Sequence, residues 1–562
     1  MTLNERIEQW EKAPFDATTI AEVNTLRENP NELEDAFYAD VAFGTGGMRG
    51  IMGVGTNRIN RYTLGKASQG LANYLNTRFK NTVPKIVIAY DCRNNSHAFA
   101  KIVAQVFSAN TIETYLFSTL RPTPVLSFAV RQLEAQAGIV LTASHNPPEY
   151  NGYKVYNQFG GQIVPPEDTQ IIQHIEALNF SDIGWEENPS LIHVIDTKVD
   201  DAYVETIVNK SILSVHQRSK TSIVFTSLHG TATATMPAVF KKAGYTNVHW
   251  VEEQSEPNGN FPTVVSPNPE EKEAFELALK KAKKIDADII LGTDPDADRL
   301  GIGIKNLEGE WMLLNGNQLM VVLTRFVLEN SPISSNNFIA STVVSTPMMG
   351  KMAEAFKVEC KLGLTGFKWI AKMIQDFPAQ TFLCGGEESY GFLYGEDVRD
   401  KDAISAALLA CDLQSHLAAK GSSVYAYLID SYQRYGCFHE DLVSVKKKGK
   451  KGAEEIDAIM HEFRTNTPTT IAGIAVIAFD DFLDSMTTLA NGEKQTIDLP
   501  KANVLRFHLE DGSTIAVRPS GTEPKIKYYF SVNASLDKAS DYTLVNNQLK
   551  EKCKQLINFF AS

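Results

Sequence analysis

The chain has 562 residues, 43% hydrophobic and 22% charged, with 54 Lys and Arg against 67 Asp and Glu for a formal charge of −13. This is a soluble globular composition with room for roughly three to four domains, and its acidic balance excludes a general nucleic-acid binder while permitting a local basic site. Six cysteines with no C-x-x-C pair indicate neither a zinc motif nor a disulfide framework and fit a reduced, cytoplasmic setting; the polar start is no signal peptide, and no stretch nears the ~18 apolar residues of a membrane span.

In chain order, "LNERIEQWEKA" and "TTIAEVNTLREN" carry apolar residues near helical spacing, with Asn-Pro punctuation after the second. They predict a helical extension over residues 1–40, packed on a first domain. From Phe43 the pattern alternates. "KIVIAYD" (85–91), "AGIVLTAS" (137–144), "TSIVFTSL" (221–228), "DADIILGTD" (286–294) and "NFIASTVVS" (337–345) read as buried strands. Helical stretches such as "TLGKASQGLANYLNTRF" and "AFELALKKAKK" separate them. The pattern predicts α/β layers, with a βαβ theme recurring about every 110 to 120 residues. After "YGCFHEDLVSV", long strands and an Asp511-Gly512 turn read as an α+β domain. The lysine run Lys446–Lys451 is short in an acidic chain and reads as a solvated turn. The expected division is 41–205, 206–315, 316–432 and 433–562 after the extension.

Four stretches carry chemistry. In "LTASHNPPEYNGYK" (141–154), Ser144 lacks the flanking glycines of a hydrolase elbow, and adjacent residues rarely orient as a Ser-His pair. It stands on a turn at a strand's C-terminal end, where α/β sheets put ligand chemistry. Alone, it reads as a turn serine. In "IILGTDPDADRLGIG", Asp294, Asp296 and Asp298 alternate straight after a strand, so three carboxylates converge and repel unless a cation intervenes. Hard oxygen ligands suit Mg²⁺. An EF-hand fails on Arg299 at position six and Lys305 at position twelve. A haloacid-dehalogenase-type phosphatase also opens with strand-D-x-D, but Asp298 is foreign to it. "CGGEESYGF" holds Glu387 and Glu388 between glycines, acceptors for sugar hydroxyls or a plain surface loop. "VRPSGTEPKIKYYF" offers Arg518, Ser520, Gly521 and Thr522 as the parts of a phosphate nest, or a hairpin turn. Together the four call for a phosphorylated sugar, with Ser144 as phosphoryl carrier.

The chain resembles the α-D-phosphohexomutases, the phosphoglucomutase/phosphomannomutase superfamily. The resemblance rests on T-A-S-H-N-P-P (142–148), D-P-D-A-D-R (294–299), G-E-E-S-Y-G (386–391) and R-P-S-G-T-E-P (518–524), with "FGTGGMRG" (43–50) and "YDCRNNS" (90–96), in family order over roughly 40–560. The helical N-terminus and "TGFKWI" (365–370) look like the phosphoglucomutase-2-type branch. The family pattern implies three related α/β domains plus a C-terminal α+β domain around a central cleft. It implies a phosphoserine at Ser144, Mg²⁺ held by that residue with Asp294, Asp296 and Asp298, and Arg299 steadying the phosphoryl group. It places Arg49, Gly386, Glu387, Glu388 and Ser389 on substrate, and Arg518, Ser520, Gly521 and Thr522 on the non-reacting phosphate. His145, Lys154 and Lys368 line the cleft as alternative general acids or bases. The reaction implied is glucose 1-phosphate to glucose 6-phosphate through a bound glucose 1,6-bisphosphate, by a monomer or weak homodimer. Mannose or pentose phosphates, a phosphatase and a non-catalytic binder are the rivals. Gly46 and Gly386 depart from the pattern, the first expected to loosen the cleft wall, the second to leave sugar preference open.

Overall fold

The β-branched runs become the central strands of three mixed sheets in a computed structural model that describes residues 2–44, 46–213, 218–447, 449–520 and 525–561. In the first sheet, β1 (Phe43–Gly44), β2 (Gly47–Ile51), β3 (Lys85–Tyr90), β4 (Glu113–Phe117), β5 (Ala137–Leu141), β6 (Tyr150–Asn157) and β7 (Ile192–Ile195) take the order β1-β2-β6-β5-β3-β4-β7. In the second, β8 (Ile223–Thr226), β9 (Val248–Trp250), β10 (Ile289–Thr293), β11 (Leu300–Lys305) and β12 (Trp311–Leu313) run β12-β11-β10-β8-β9. In the third, β13 (Asn337–Thr342), β14 (Glu359–Gly363), β15 (Thr381–Gly386) and β16 (Phe392–Tyr394) run β14-β13-β15-β16.

One unit underlies all three. Its first strand is flanked in parallel by the next two, and the third turns back into an antiparallel fourth. β3-β4-β5-β6, β8-β9-β10-β11 and β13-β14-β15-β16 therefore share one topology, which is the expected recurrence seen in space. The parallel strands β5, β10 and β13 are buried on both faces, as continuous apolar runs require, whereas the outer parallel strands β7, β9 and β14 are partly exposed. The antiparallel fourth strands β6, β11 and β16 were not among the expected elements. Their consequence is functional: the third-to-fourth connections, residues 142–149, 294–299 and 387–391, are equivalent loops. Each turns on one non-glycine residue with a left-handed backbone: Ser144 at φ 51°, Ala297 at φ 53° and Tyr390 at φ 67°.

The fourth unit is a mixed-length antiparallel sheet. Its path is β17 (Cys437–Lys446), β24 (Lys525–Ala534), β23 (Thr514–Pro519), β22 (Leu505–Leu509), β19 (Ile474–Asp481), β20 (Met486–Leu489) and β21 (Lys494–Thr496), with β18 (Thr470–Ile471) beside β19. Asp511 and Gly512 turn β22 into β23, with Gly512 at φ 80°. The lysine run is not a simple turn. Lys446 ends β17 and Lys450 and Lys451 lie in the helix Gly449–Thr465, while Lys448 lies outside the described residues.

The extension has three helices, Leu3–Gln9, Ala17–Leu26 and Pro30–Phe37, around a fully buried Trp10. The third was not expected. Asn29 caps it and Pro30 takes its first turn, where the missing N–H is no loss. The expected boundaries at 205 and 432 fall inside the helices Thr197–Asn209 and Val424–Tyr435. Among the described residues, no helix is long and apolar enough to cross a membrane.

Candidate active site

The carboxylate loop is where the units interlock. Its carbonyls at Pro295, Asp296 and Ala297 accept backbone N–H bonds from Thr231, Thr123 and Ala403. These donors stand at the starts of the helices Ala232–Ala243, Thr123–Gln132 and Ala403–Ala419, whose first N–H groups have no intrahelical partner. Three helices from different parts of the chain thus hold one loop. The acidic loop joins it through a backbone bridge between Arg299 and Gly391 and the bond from Leu300 N to Tyr390 O, 3.1 Å.

Asp294, Asp296 and Asp298 are fully or almost fully buried, and one oxygen from each lies within 4.8 Å of the others. Lys154 on β6 donates to Asp296 (2.7 Å) and Asp298 (3.2 Å), and Thr123 Oγ1 donates to Asp296 (3.0 Å). Lys401 Nζ stands 3.1 Å from Asp298. The Oδ1 atoms of Asp296 and Asp298 are buried and accept no hydrogen bond. Buried, unpartnered carboxylate oxygens beside a third carboxylate are what a hard cation would satisfy, so the residues fit a metal ion. Burial, then the charges of Asp296 and Asp298, push the Asp294 carboxyl well above its usual range. Burial would do the same to Asp296, but Lys154 leads the opposing interactions that hold it below.

Ser144 is 3% exposed. Its Oγ donates to Asp294 Oδ2 at 2.6 Å and lies 3.1 Å from His145 Nδ1. Its backbone N–H is held by Thr142 Oγ1 at 2.8 Å. Arg93 gathers the loop from behind. Its guanidinium donates to the carbonyls of Ser144 (2.6 Å), Pro147 (2.8 Å), Tyr150 (3.0 Å) and Asn146. Arg49 reaches the same loop through Asn146 Oδ1 at 2.9 Å. Burial, then the positive charges of Arg299 and Arg49, push His145 well below the usual imidazole range, so it is neutral at pH 7. Burial pulls the Lys154 amine down, but Asp296 and Asp298 outweigh it and keep it protonated.

Arg299 pairs with Glu270 and lies 3.9 Å from Asp298. Burial pushes Glu387 up to about 7, opposed by Lys401 and reinforced by Glu388. Glu388 accepts from Ser345 Oγ at 3.0 Å, and Ser389 is half-buried beside it. Gly386 ends β15. A Cβ there would meet Gly391 O at 2.9 Å and Met320 at 3.0 Å, so a side chain at this position requires its neighbours to shift. Gly46 has φ 107°, a backbone that alanine or serine holds under strain, and its carbonyl accepts from Val155 N at 2.9 Å. That bond ties the Gly46 carbonyl to β6.

The fourth unit supplies positive charge. Arg518 and Lys527 are paired positions on β23 and β24, and Ser520 N donates to Lys525 O at 2.7 Å. Gly521 and Thr522 lie outside the described residues. Burial, then Lys525, lower the Lys527 amine, with Glu388 acting the other way; Glu270 and Arg518 also act on it. Burial brings Lys368 down to about 8, opposed by Asp168 and aided by Arg518. The structure gathers Ser144, His145, Lys154, Arg299 and the three aspartates into one cluster, with Arg49 tied to the serine loop through Asn146. Sequence reasoning missed Lys401, Arg93 and Thr123. "YDCRNNS" was noted, but nothing local marks its arginine as the serine loop's anchor.

A shielded hydroxyl aimed at carboxylates that call for a cation is built for moving a phosphoryl group, and three repeated α/β units with a fourth that sets Arg518 beside Lys527 define a phosphohexomutase, an intramolecular phosphotransferase. Models of the phosphoglucomutase/phosphomannomutase α/β/α domains I, II and III match residues 40–182, 201–309 and 315–435, and that of the C-terminal domain matches 442–542. The chain belongs to the phosphoglucomutase/phosphomannomutase family. It is 39% identical over 510 residues to a phosphoglucomutase of Staphylococcus epidermidis, covering 89% of this chain and 92% of the relative. It is 38% identical over 511 residues to that of Staphylococcus haemolyticus, with the same coverage. Among solved structures, parafusin, a phosphoglucomutase from Paramecium in its open form, superposes with TM-score 0.68 at 18% identity, over 93% of this chain and 96% of that one. A phosphoglucomutase/phosphomannomutase family protein from Burkholderia thailandensis gives TM-score 0.63 at 20% identity, over 92% and 98%.

Proposed function

We propose that this enzyme interconverts glucose 1-phosphate and glucose 6-phosphate through a phosphorylated Ser144 and a retained glucose 1,6-bisphosphate, with Mg²⁺ at Asp294, Asp296 and Asp298. The observation that carries the reading is the Ser144 hydroxyl, buried and 2.6 Å from the Asp294 carboxylate of the trio. The preference for glucose is supported by the Staphylococcus phosphoglucomutases at 38% and 39% identity. Six free cysteines agree with a cytoplasmic setting.

In the first half-reaction the bond from Ser144 Oγ to phosphorus breaks as the sugar's O6 bonds to phosphorus, and the proton that O6 loses ends on Ser144 Oγ. In the second, the bisphosphate presents its other end, the bond from O1 to phosphorus breaks as Ser144 Oγ takes the group back, and the proton that Ser144 Oγ loses ends on O1. Bound Mg²⁺ supplies positive charge against the charge that grows on the transferring oxygens. Lys154 and Arg299 add fixed charge on the same side. His145 exchanges the proton of Ser144 Oγ, because it is neutral and adjacent while Lys154 is held protonated. Glu387, Glu388 and Ser389, with Gly386 shaping their loop, accept from the sugar hydroxyls. Arg518, Ser520, Gly521 and Thr522 hold the non-reacting phosphate, with Lys368 beside them, and Arg49 fixes the serine loop. The helices Thr197–Asn209 and Val424–Tyr435 act as rigid connectors across the divisions at 205 and 432.

The test is to dephosphorylate the enzyme and start it with glucose 1-phosphate alone. A lag or no rate is expected, removed by catalytic glucose 1,6-bisphosphate. Full initial velocity without it overturns the mechanism, and steady release of inorganic phosphate marks a phosphatase instead.

A further inference from the structure

Away from the cleft, the described residues bring a second set of ligand-type side chains together. One donor atom each from His439, Asp441 and Cys553 lies within 4.8 Å of the others. His439 and Asp441 alternate on β17, the edge strand of the fourth sheet, so both point to one face. Cys553 stands on the C-terminal helix Tyr542–Ala561, which covers β17 and β24. The three differ in depth: Cys553 is buried, His439 half-buried and Asp441 exposed. The cluster therefore opens to water on its carboxylate side, giving an ion an entry path and room for a water ligand.

The donor set differs from that of the cleft. Three carboxylates suit a hard cation. One imidazole nitrogen, one thiolate and one carboxylate suit a borderline ion of the Zn²⁺ type, and three protein ligands leave its fourth tetrahedral position open. Charge also balances, because a divalent ion with one thiolate and one carboxylate is neutral. We propose that His439, Asp441 and Cys553 form a second metal site, for Zn²⁺ or a similar borderline divalent ion, that fastens the C-terminal helix to the first strand of the fourth unit. Binding forms the metal–sulfur bond and releases the thiol proton to solvent. The two residues on β17 and the one on the last helix are too far apart in sequence to make a spacing motif, which is why cysteine spacing indicates no zinc there.

Chelator-treated protein, resupplied with Mg²⁺ to serve the aspartates, would be titrated with Co²⁺ alone as a spectroscopic probe. One equivalent should produce thiolate-to-cobalt charge-transfer absorption, which Zn²⁺ abolishes by displacement. Cys553→Ser and His439→Ala should lose the band while keeping circular dichroism and Mg²⁺-dependent turnover. Asp441→Asn, at an exposed position where folding is not at stake, should weaken Co²⁺ binding by at least ~10-fold. Zn²⁺ should raise the melting temperature of the wild type and leave Cys553→Ser unmoved. No band in the wild type, or an undiminished band in Cys553→Ser, overturns the site. An unchanged Co²⁺ affinity in Asp441→Asn does the same.

Discussion

Ser144 Oγ donates a 2.6 Å hydrogen bond to Asp294 Oδ2, a residue 150 positions further along the chain and in a different sheet. Both residues stand after the third strand of the same repeated unit. The repeat therefore does more than reuse a stable fold, because it aims equivalent loops at one point.

Ser144→Ala should lose at least ~10⁴-fold in turnover while folding normally, because it removes the phosphoryl carrier and little packing. Intact mass of the wild type should show a fraction one phosphate heavier, mapped to Ser144. Near-normal mutase activity in the alanine variant counts decisively against the carrier role.

Asp294→Asn should lower kcat by ~10³-fold or more, since the metal stabilises charge that grows only in the transition state. The same variant should raise the melting temperature of metal-free protein, because it removes one of three buried, mutually repelling carboxylates. Thermal scans in chelator test this. A lower melting temperature would show that the trio is stabilising without its ion.

Glu387 titrates at about 7 in the fold against an ordinary 4.5. A carboxyl raised in this way favours the fold while protonated, so its support is full below pH 4.5 and is lost as pH rises toward 7. Glu387→Gln should therefore be more stable than the wild type above pH 7 and lose that advantage below 4.5. It should also blur discrimination between glucose and mannose 1-phosphates. Parallel pH-dependence of stability in the two proteins would refute the shift.

Arg518→Ala should raise KM alike for every phosphosugar tested, by ~10- to 100-fold, as expected for loss of a charge-assisted contact of about 1.5–3 kcal/mol. Each substrate is held in two orientations, so the phosphate side of the cleft meets them all the same way. An effect on one sugar only would place Arg518 on the sugar.

The amino-acid pattern alone determined the strands β3, β5, β8, β10 and β13, because buried parallel strands are continuous β-branched runs. It also marked the aspartate trio, whose three alternating carboxylates are legible locally, whereas Ser144 and the acidic loop read as functional only beside the other motifs. The antiparallel strands β6, β11 and β16 were not so marked, since their pattern is set by the neighbour they pair with. Pro30 read as punctuation because a proline that ends one helix looks the same as one that begins the next. Tertiary structure alone decided that Thr123, Thr231 and Ala403 give their N–H groups to one loop, and that Lys401 balances Asp298. These residues carry no motif. A lysine or a helix start acquires a role only from the charge or carbonyl that folding brings beside it, and that partner lies far away in the chain.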